Sequence, residues 1–131
     1  MLFRSLNAKE QTDPYENIGM FLSGKYNLIG ERPQSHKTYR GIVTLHYEKA
    51  QMHITRLING ETSHAIGKIS KSVVPESPLT LDVTFTEQGH SYRVSYIWHT
   101  EYDNYPRITG KIHLKDEKSN DKGFEALFAI W

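Results

Sequence analysis

The chain has 131 residues and no cysteine, and its 16 lysine and arginine residues nearly balance 15 aspartate and glutamate residues. This length fits one domain that can bury a core without metals or disulfides, and the lack of thiols excludes disulfides, cysteine nucleophiles and zinc–thiolate sites. The balanced charge argues against a nucleic-acid or membrane-surface protein, since such proteins usually carry a clear basic excess.

The N-terminal residues contain no apolar run long enough for a signal peptide, and no later stretch is long enough to form a spanning helix. We therefore expect a soluble, cytoplasmic protein with no membrane partner. An exported form whose leader has been removed would give the same sequence, so this alternative stays open.

Residues 1–19 are mostly polar and lack periodicity, and they include an Asp-Pro pair typical of a turn or a helix start. We predict a loose tail and one short helical turn there, followed by a β-barrel domain over residues 20–131. Its first strand is predicted from Met20 to Ile29, and the polar stretch 30–37, with its Gly and Pro residues, is predicted to be a loop.

The next strands, at residues 39–48 and 51–58, are predicted to form a hairpin. Asn59-Gly60 is the strongest hairpin signal that follows, because both central residues of a type I′ turn need a positive φ. This turn makes Arg56 face Ser63 on the fourth strand.

Apolar and polar residues then alternate from Leu79 to Thr100, on both sides of Gln88-Gly89. This is the signature of two half-buried strands joined by a two-residue turn, and in this register every large apolar side chain lies on one face. Two further strands are predicted within residues 107–115 and 123–131.

Strands joined by short turns, with no long helix, predict an all-β fold: a single eight-stranded antiparallel up-and-down (meander) barrel with a short N-terminal helical turn. A two-sheet sandwich is the alternative, but its Greek-key connections need longer crossings than this chain supplies. An outer-membrane barrel is disfavoured because charged residues occupy the face that would contact lipid: Asp82, Arg93, Lys111 and Lys115.

The layout resembles the calycin group of eight-stranded barrels, which includes the lipocalins and avidins. Gly19-Met20-Phe21 resembles the lipocalin Gly-x-Trp element, with Phe in place of Trp, and Tyr102-Asp103-Asn104-Tyr105 lies where lipocalins carry Thr-Asp-Tyr. The lipocalin Arg at the end of the last strand has no counterpart here. The resemblance implies a small, partly apolar ligand inside the barrel, without identifying it.

Arg56 is predicted to point inward among apolar residues, where an unpaired guanidinium is costly. It would grip a carboxylate or phosphate of a bound ligand, with Ser63 opposite it. Two alternatives stay open. Arg56 reaches water at the barrel mouth, or it pairs with an internal acid such as Glu87 or Glu125.

An inward aromatic set comes from three predicted strands: Tyr26, Tyr47, Tyr92, Tyr96 and Trp98. Such walls suit a flat or partly polar ligand, although the same rings would also fill an eight-stranded barrel with no ligand. Together with Arg56 and Ser63, they are the predicted ligand-binding residues.

His46, His53 and His64 are predicted to share an outer face at separations that suit a metal or a pH-dependent cluster. An outward row lacks the neighbours that orient metal-binding imidazoles, so we predict a polar outer face with no metal and no cofactor. The sequence contains no nucleophile, metalloprotease, phosphate-loop or calcium-loop motif. We therefore expect no enzyme activity and no catalytic residue, and a barrel enzyme using His or Glu at the mouth has the least support.

Apolar residues predicted on the outer face suggest a homodimer or another partner contact through the barrel wall: Ile42, Leu57, Ile66, Ile97, Leu127 and Trp131. Two functions follow. The first is a calycin-like barrel that binds a small hydrophobic or aromatic molecule with an acidic group in its interior. The second is a filled barrel that acts as an interaction protein, with no small ligand and no catalysis.

Overall fold

The computed structural model describes residues 13–72, 78–100, 106–116 and 121–130. These residues form a helix, α1 (Glu16–Leu22), and the strands β1 (Gly24–Glu31), β2 (Thr38–Glu48), β3 (Gln51–Ile58), β4 (Glu61–Lys71), β5 (Leu79–Glu87), β6 (His90–Thr100), β7 (Pro106–Leu114) and β8 (Gly123–Ala129). The strands pair in sequence order, and β8 pairs antiparallel with β1 to close the barrel. The predicted all-β meander barrel is confirmed.

Tight turns with left-handed backbone set the register of the hairpins. Both central residues have positive φ in Lys49-Ala50 (54° and 64°), Asn59-Gly60 (54° and 80°) and Gln88-Gly89 (53° and 80°). This backbone twist matches that of the flanking strands, as in type I′ turns. The predicted pairing follows from it, since Arg56 lies opposite Ser63.

The inward face of the strands is apolar, as the alternation predicts, and it forms one core that contains residues from all eight strands. Strand β8 is the exception to the prediction, because Leu127 is buried with 1% of its surface exposed and does not lie outside. Phe124 and Phe128 occupy the outer face instead, at 50% and 43% exposure. Both faces of this strand carry apolar residues, and the inward face also carries the acid Glu125, so its pattern alone could not decide which face turns inward.

The N-terminal segment differs from the prediction, because α1 continues to Leu22 and β1 begins at Gly24, four residues after the predicted start. The lipocalin-like stretch Gly19-Met20-Phe21 therefore lies within the helix and does not open the first strand. The helix α1 ends at Ser23 because the backbone of Ser23 is extended (φ −66°, ψ 137°). Its N–H and its hydroxyl both donate to the Gly19 carbonyl, at 3.1 Å and 2.9 Å. The sequence pattern over residues 20–22, which predicts a strand, also fits a helix. In α1, the side chain of Leu22 packs inward with no exposed surface.

Two sequence features lie outside the described residues: the lipocalin-like stretch 102–105 and Trp131. Within the described ranges, no helix has the length and apolar character needed to cross a membrane.

Candidate binding site at the barrel mouth

The two ends of the barrel are built differently. At the closed end, α1 packs beneath β2, and the turn 49–50 lies at the same end. At the other end, called the mouth below, lie the β1–β2 loop (residues 32–37) and the turns 59–60 and 88–89. The charged interior residues lie toward the mouth.

Arg56 on β3 is buried, with 1% exposure, and the two internal acids considered from the sequence both pair with it. Its Nη1 and Nη2 donate to Glu125 at 3.0 Å and 2.6 Å, and its Nε donates to Glu87 at 2.5 Å. The guanidinium carbon lies 4.0 Å from the centroid of the Phe85 ring. The fork of Arg56 is therefore held by protein groups on two sides, as planar bidentate pairing favours.

Glu125 on β8 is buried at 2% exposure and also accepts hydrogen bonds from two phenols. Tyr96 donates at 2.5 Å, and Tyr39 donates to the other carboxylate oxygen. Burial alone would raise the pKa of Glu125, but Arg56 and these donors outweigh burial and hold that pKa below its usual value. The carboxylate is therefore ionised in the folded protein near neutral pH.

Glycines beside Glu125 on both neighbouring strands make room for these phenol rings. Gly30 on β1 and Gly110 on β7 are its cross-strand partners. A Cβ at Gly110 would lie 2.8 Å from Cδ1 of Tyr96, and one at Gly30 would overlap the Tyr39 ring. The absence of side chains at these two positions lets both hydroxyls reach one carboxylate. Burial, followed by the charge of Glu125, raises the pKa of Tyr39 and that of Tyr96, so both remain protonated donors.

Arg32 continues this network to the mouth. It is 8% exposed, and its Nη2 lies 2.9 Å from Oε1 of Glu87. Its guanidinium carbon lies 4.0 Å from the Tyr39 ring centroid and 5.1 Å from that of Tyr92. Its Nη1 is buried and has no hydrogen-bond acceptor among the described residues.

The position of Arg32 is fixed by its loop. Its backbone N–H donates to the Lys37 carbonyl at 2.9 Å, and its carbonyl accepts from the N–H of His36 at 3.1 Å. Sequence reasoning missed Arg32, because it lies in a predicted loop where no periodicity indicates which way a side chain points.

Two depressions open at the mouth, and Arg32 lines both. One, of about 360 Å³, also contains Ser63 and Glu87, and the other, of about 460 Å³, contains Tyr39 and Tyr92. One depression thus offers hydroxyl and carboxylate groups, and the other offers aromatic faces beside a cation.

The seven predicted ligand-binding residues divide between the two ends. Arg56, Tyr96 and Ser63 belong to the mouth network, since the Ser63 hydroxyl donates to Glu87 at 3.2 Å. Tyr92 lies beside them, under Arg32.

The other three are separate from that network. At the closed end, the Tyr26 hydroxyl donates to the Leu22 carbonyl at 2.7 Å, and the Tyr47 hydroxyl donates to Asp13. Trp98 is partly buried and packs against the core. Burial raises the pKa of Tyr26 to about 12.

The outer wall has a larger depression of about 1270 Å³, whose lining also includes Glu125 on β8. Its lining combines exposed apolar residues such as Ile66 and Phe124 with the cations Lys68, Arg93 and Lys111. Partial burial, followed by the charges of Arg93, Lys122 and Lys111, lowers the pKa of neighbouring His113.

The three outward histidines do not form a cluster of metal ligands. The rings of His46 and His53 are opposed with centroids 6.5 Å apart, whereas His64 Nδ1 lies 3.3 Å from the Thr55 hydroxyl. Within the part of the chain that the structure describes, no group of three or more histidine or acidic side chains is arranged to hold a metal ion.

The chain was also compared with known proteins. No protein-family model matches it, and no curated protein matches it. Its relation to the calycins is therefore one of architecture, a closed antiparallel eight-stranded barrel.

Proposed function

We propose that this protein is a non-enzymatic, calycin-like barrel that binds a small molecule with an acidic group and a flat apolar part at its mouth. The acidic group binds Arg32, and the flat part rests against the rings that line the same depression. A cytoplasmic location, expected from the sequence, belongs to the same proposal.

The observation that carries the proposal is the buried Nη1 of Arg32, which has no hydrogen-bond acceptor among the residues that the structure describes. A buried guanidinium N–H without an acceptor is costly, and such groups are rare away from sites where something else satisfies them. The Arg32 side chain lines both depressions of the mouth, so an anion entering from solvent would meet a guanidinium that is already held in place. A bound carboxylate or sulfonate would supply the acceptor.

The apolar half of the ligand is suggested by the aromatic lining. Tyr39 and Tyr92 flank Arg32, and Phe85 packs against Tyr92 with ring centroids 5.5 Å apart. Aromatic faces beside a cation suit a planar, partly polar molecule.

The mouth is favoured over the deep interior that the sequence suggested. The interior carries large side chains with almost no exposed surface, among them Arg56 at 1%, Tyr26 at 1% and Tyr96 at 2%. In this proposal, Arg56 and Tyr96 form the floor beneath the site, and Tyr26 and Tyr47 stabilise the opposite end.

The proposal is tested with a fluorescent aromatic anion, anilinonaphthalene sulfonate, titrated into wild type, Arg32→Met and Arg40→Met. Arg40 is the matched control, because it lies on the outer face of β2 and is exposed. We expect Arg32→Met to weaken binding by about 10- to 100-fold, as loss of a charged hydrogen bond should, and Arg40→Met to change it by less than about twofold. The neutral analogue phenylnaphthylamine should respond little to either variant. Equal binding by wild type and Arg32→Met would remove the proposed site.

A second candidate function is partner binding through the outer wall, as a homodimer or with another protein. It is favoured by an exposed apolar strip across β1 and β8, formed by Ile29, Phe124 and Phe128 at 48%, 50% and 43% exposure. Light scattering after size-exclusion chromatography of wild type and Phe124→Ser tests it. A dimer that Phe124→Ser converts to monomer would support this function, and a wild-type monomer at high concentration would count against a homodimer.

A further inference from the structure

We infer that the ligand is a monocarboxylate that displaces the side chain of Glu87, which occupies the carboxylate position in the unbound barrel. This inference rests on the proposed function and specifies the acidic group that the mouth accepts. In the unbound protein, Glu87 is thus a built-in competitor for the site.

The donors around Glu87 already form a carboxylate site. Its two oxygens accept from Arg56 Nε at 2.5 Å, Arg32 Nη2 at 2.9 Å and the Ser63 hydroxyl at 3.2 Å. Arg56 Nη2 approaches at 3.4 Å. Two planar guanidinium forks with a hydroxyl match the shape of one carboxylate, and charge-assisted hydrogen bonds of this kind are the strong ones.

Glu87 is also the acid of the network that solvent can reach. Its side chain is 9% exposed and lines the 360 Å³ depression, whereas the side chain of Glu125 has 0% exposure. Glu87 is the last residue of β5 and precedes the Gln88-Gly89 turn. Rotation of its side chain toward the depression would leave the Arg56–Glu125 pair and its phenol donors in place, while displacement of Glu125 would break its contacts with Tyr39 and Tyr96.

Charge balance sets the class of ligand. Two guanidiniums, Arg32 and Arg56, face two carboxylates, Glu87 and Glu125, so the network is neutral. A monocarboxylate that replaces Glu87 keeps this balance, whereas a dianionic phosphate would leave an excess negative charge in a site with little solvent, which is costly. The site should therefore prefer a carboxylate monoanion.

The test compares binding of naphthoate and naphthyl phosphate to wild type, Glu87→Gln and Glu61→Gln. Glu61 is the matched control, because it is an exposed acid in the same depression and no network contact involves it. We expect Glu87→Gln to bind naphthoate at least about tenfold more tightly than wild type, to gain less for naphthyl phosphate, and Glu61→Gln to change both by less than about twofold. An unchanged or weakened affinity of Glu87→Gln for naphthoate would overturn the inference, as would an equal gain in Glu61→Gln.

A second variant tests the inference by chemical rescue, and its only readout is the melting temperature. Glu87→Ala leaves two guanidiniums and a hydroxyl without their carboxylate, so acetate should raise its melting temperature in a saturable way, while chloride at the same ionic strength should not. Equal effects of the two salts would contradict the inference.

Failure of this inference can be separated from failure of the proposed function. If Arg32→Met weakens naphthoate binding and Glu87→Gln does not strengthen it, an acid binds Arg32 beside an undisplaced Glu87, and the inference alone fails. If Arg32→Met leaves naphthoate binding unchanged, the proposed function fails as well.

Discussion

The two ends of this barrel bury tyrosine hydroxyls in different ways. At the closed end, Tyr26 donates to a backbone carbonyl of α1, and apolar packing by Leu22 seals the interior. At the mouth, Tyr39 and Tyr96 donate to an ionised carboxylate that is paired with Arg56. Apart from the hydrogen bond from Tyr47 to Asp13, the closed end is thus held by packing and neutral hydrogen bonds, whereas the mouth is held by charge.

This difference separates stability from recognition. Packing at the closed end needs only apolar volume, whereas charges placed under the mouth are costly unless every partner is present. Apolar residues of similar volume could fill such a space with no desolvation cost, so the retained charges favour a role in binding at this end. Changes at the closed end should therefore alter stability alone, and changes at the mouth should alter both stability and anion binding.

The largest expected effect is at Glu125. Glu125→Gln keeps the shape and an acceptor for the phenols but leaves Arg56 with one charged partner, so we expect a loss of about 3 kcal/mol in the free energy of unfolding. Urea denaturation measures it, with the exposed Glu48→Gln as control. A loss below about 1 kcal/mol would show that the buried charge pair at the mouth is not what holds that end.

The next effect is at the closed end. Leu22→Ala removes a side chain with no exposed surface and should cost about 2–3 kcal/mol in unfolding free energy, while exposed Phe21→Ala should cost little. Because Leu22 lies at the opposite end, its variant should bind anilinonaphthalene sulfonate like wild type under native conditions. Weaker binding by Leu22→Ala would mean that the two ends are coupled.

The same substitution at both ends gives a finer comparison. Tyr96→Phe removes a hydrogen bond to a charged acceptor and should cost about 2 kcal/mol, and Tyr26→Phe removes one to a neutral carbonyl and should cost about 1 kcal/mol. Thermal and urea unfolding of the two variants measure the difference. Equal losses would contradict the contrast between charged and neutral ends.

The smallest expected effect comes from a change of pH. Since the pKa of Glu125 lies below its usual value in the folded protein, its ionised form stabilises the barrel above the ordinary glutamate pKa, and this contribution is lost as the pH falls through the folded-state pKa. From roughly pH 6 to pH 3, wild type should therefore lose more unfolding free energy than Glu125→Gln. Other acids titrate in both proteins, so parallel curves would show that Glu125 does not titrate in this way.

The sequence predicts much of the barrel because alternation and turn chemistry are local. The Asn59-Gly60 turn and the inward alternation of β3 place Arg56 inside and opposite Ser63, and they leave pairing of Arg56 with an internal acid as one of the alternatives. Arg32 could not be found in this way, since loop residues have no period that indicates direction. The inner face of β8 could not be predicted either, because apolar residues occur on both of its faces and the inward one also carries the acid Glu125.

The most direct test of the central claim is the NMR signal of each arginine Nε–Hε group in the full chain during titration with anilinonaphthalene sulfonate. We predict that the Arg32 signal shifts most and saturates with the binding curve, that Arg56 follows with a smaller shift, and that exposed Arg40 and Arg93 stay in place. Shifts confined to Arg93, which lines the depression on the outer wall, would place the site there and contradict binding at the mouth.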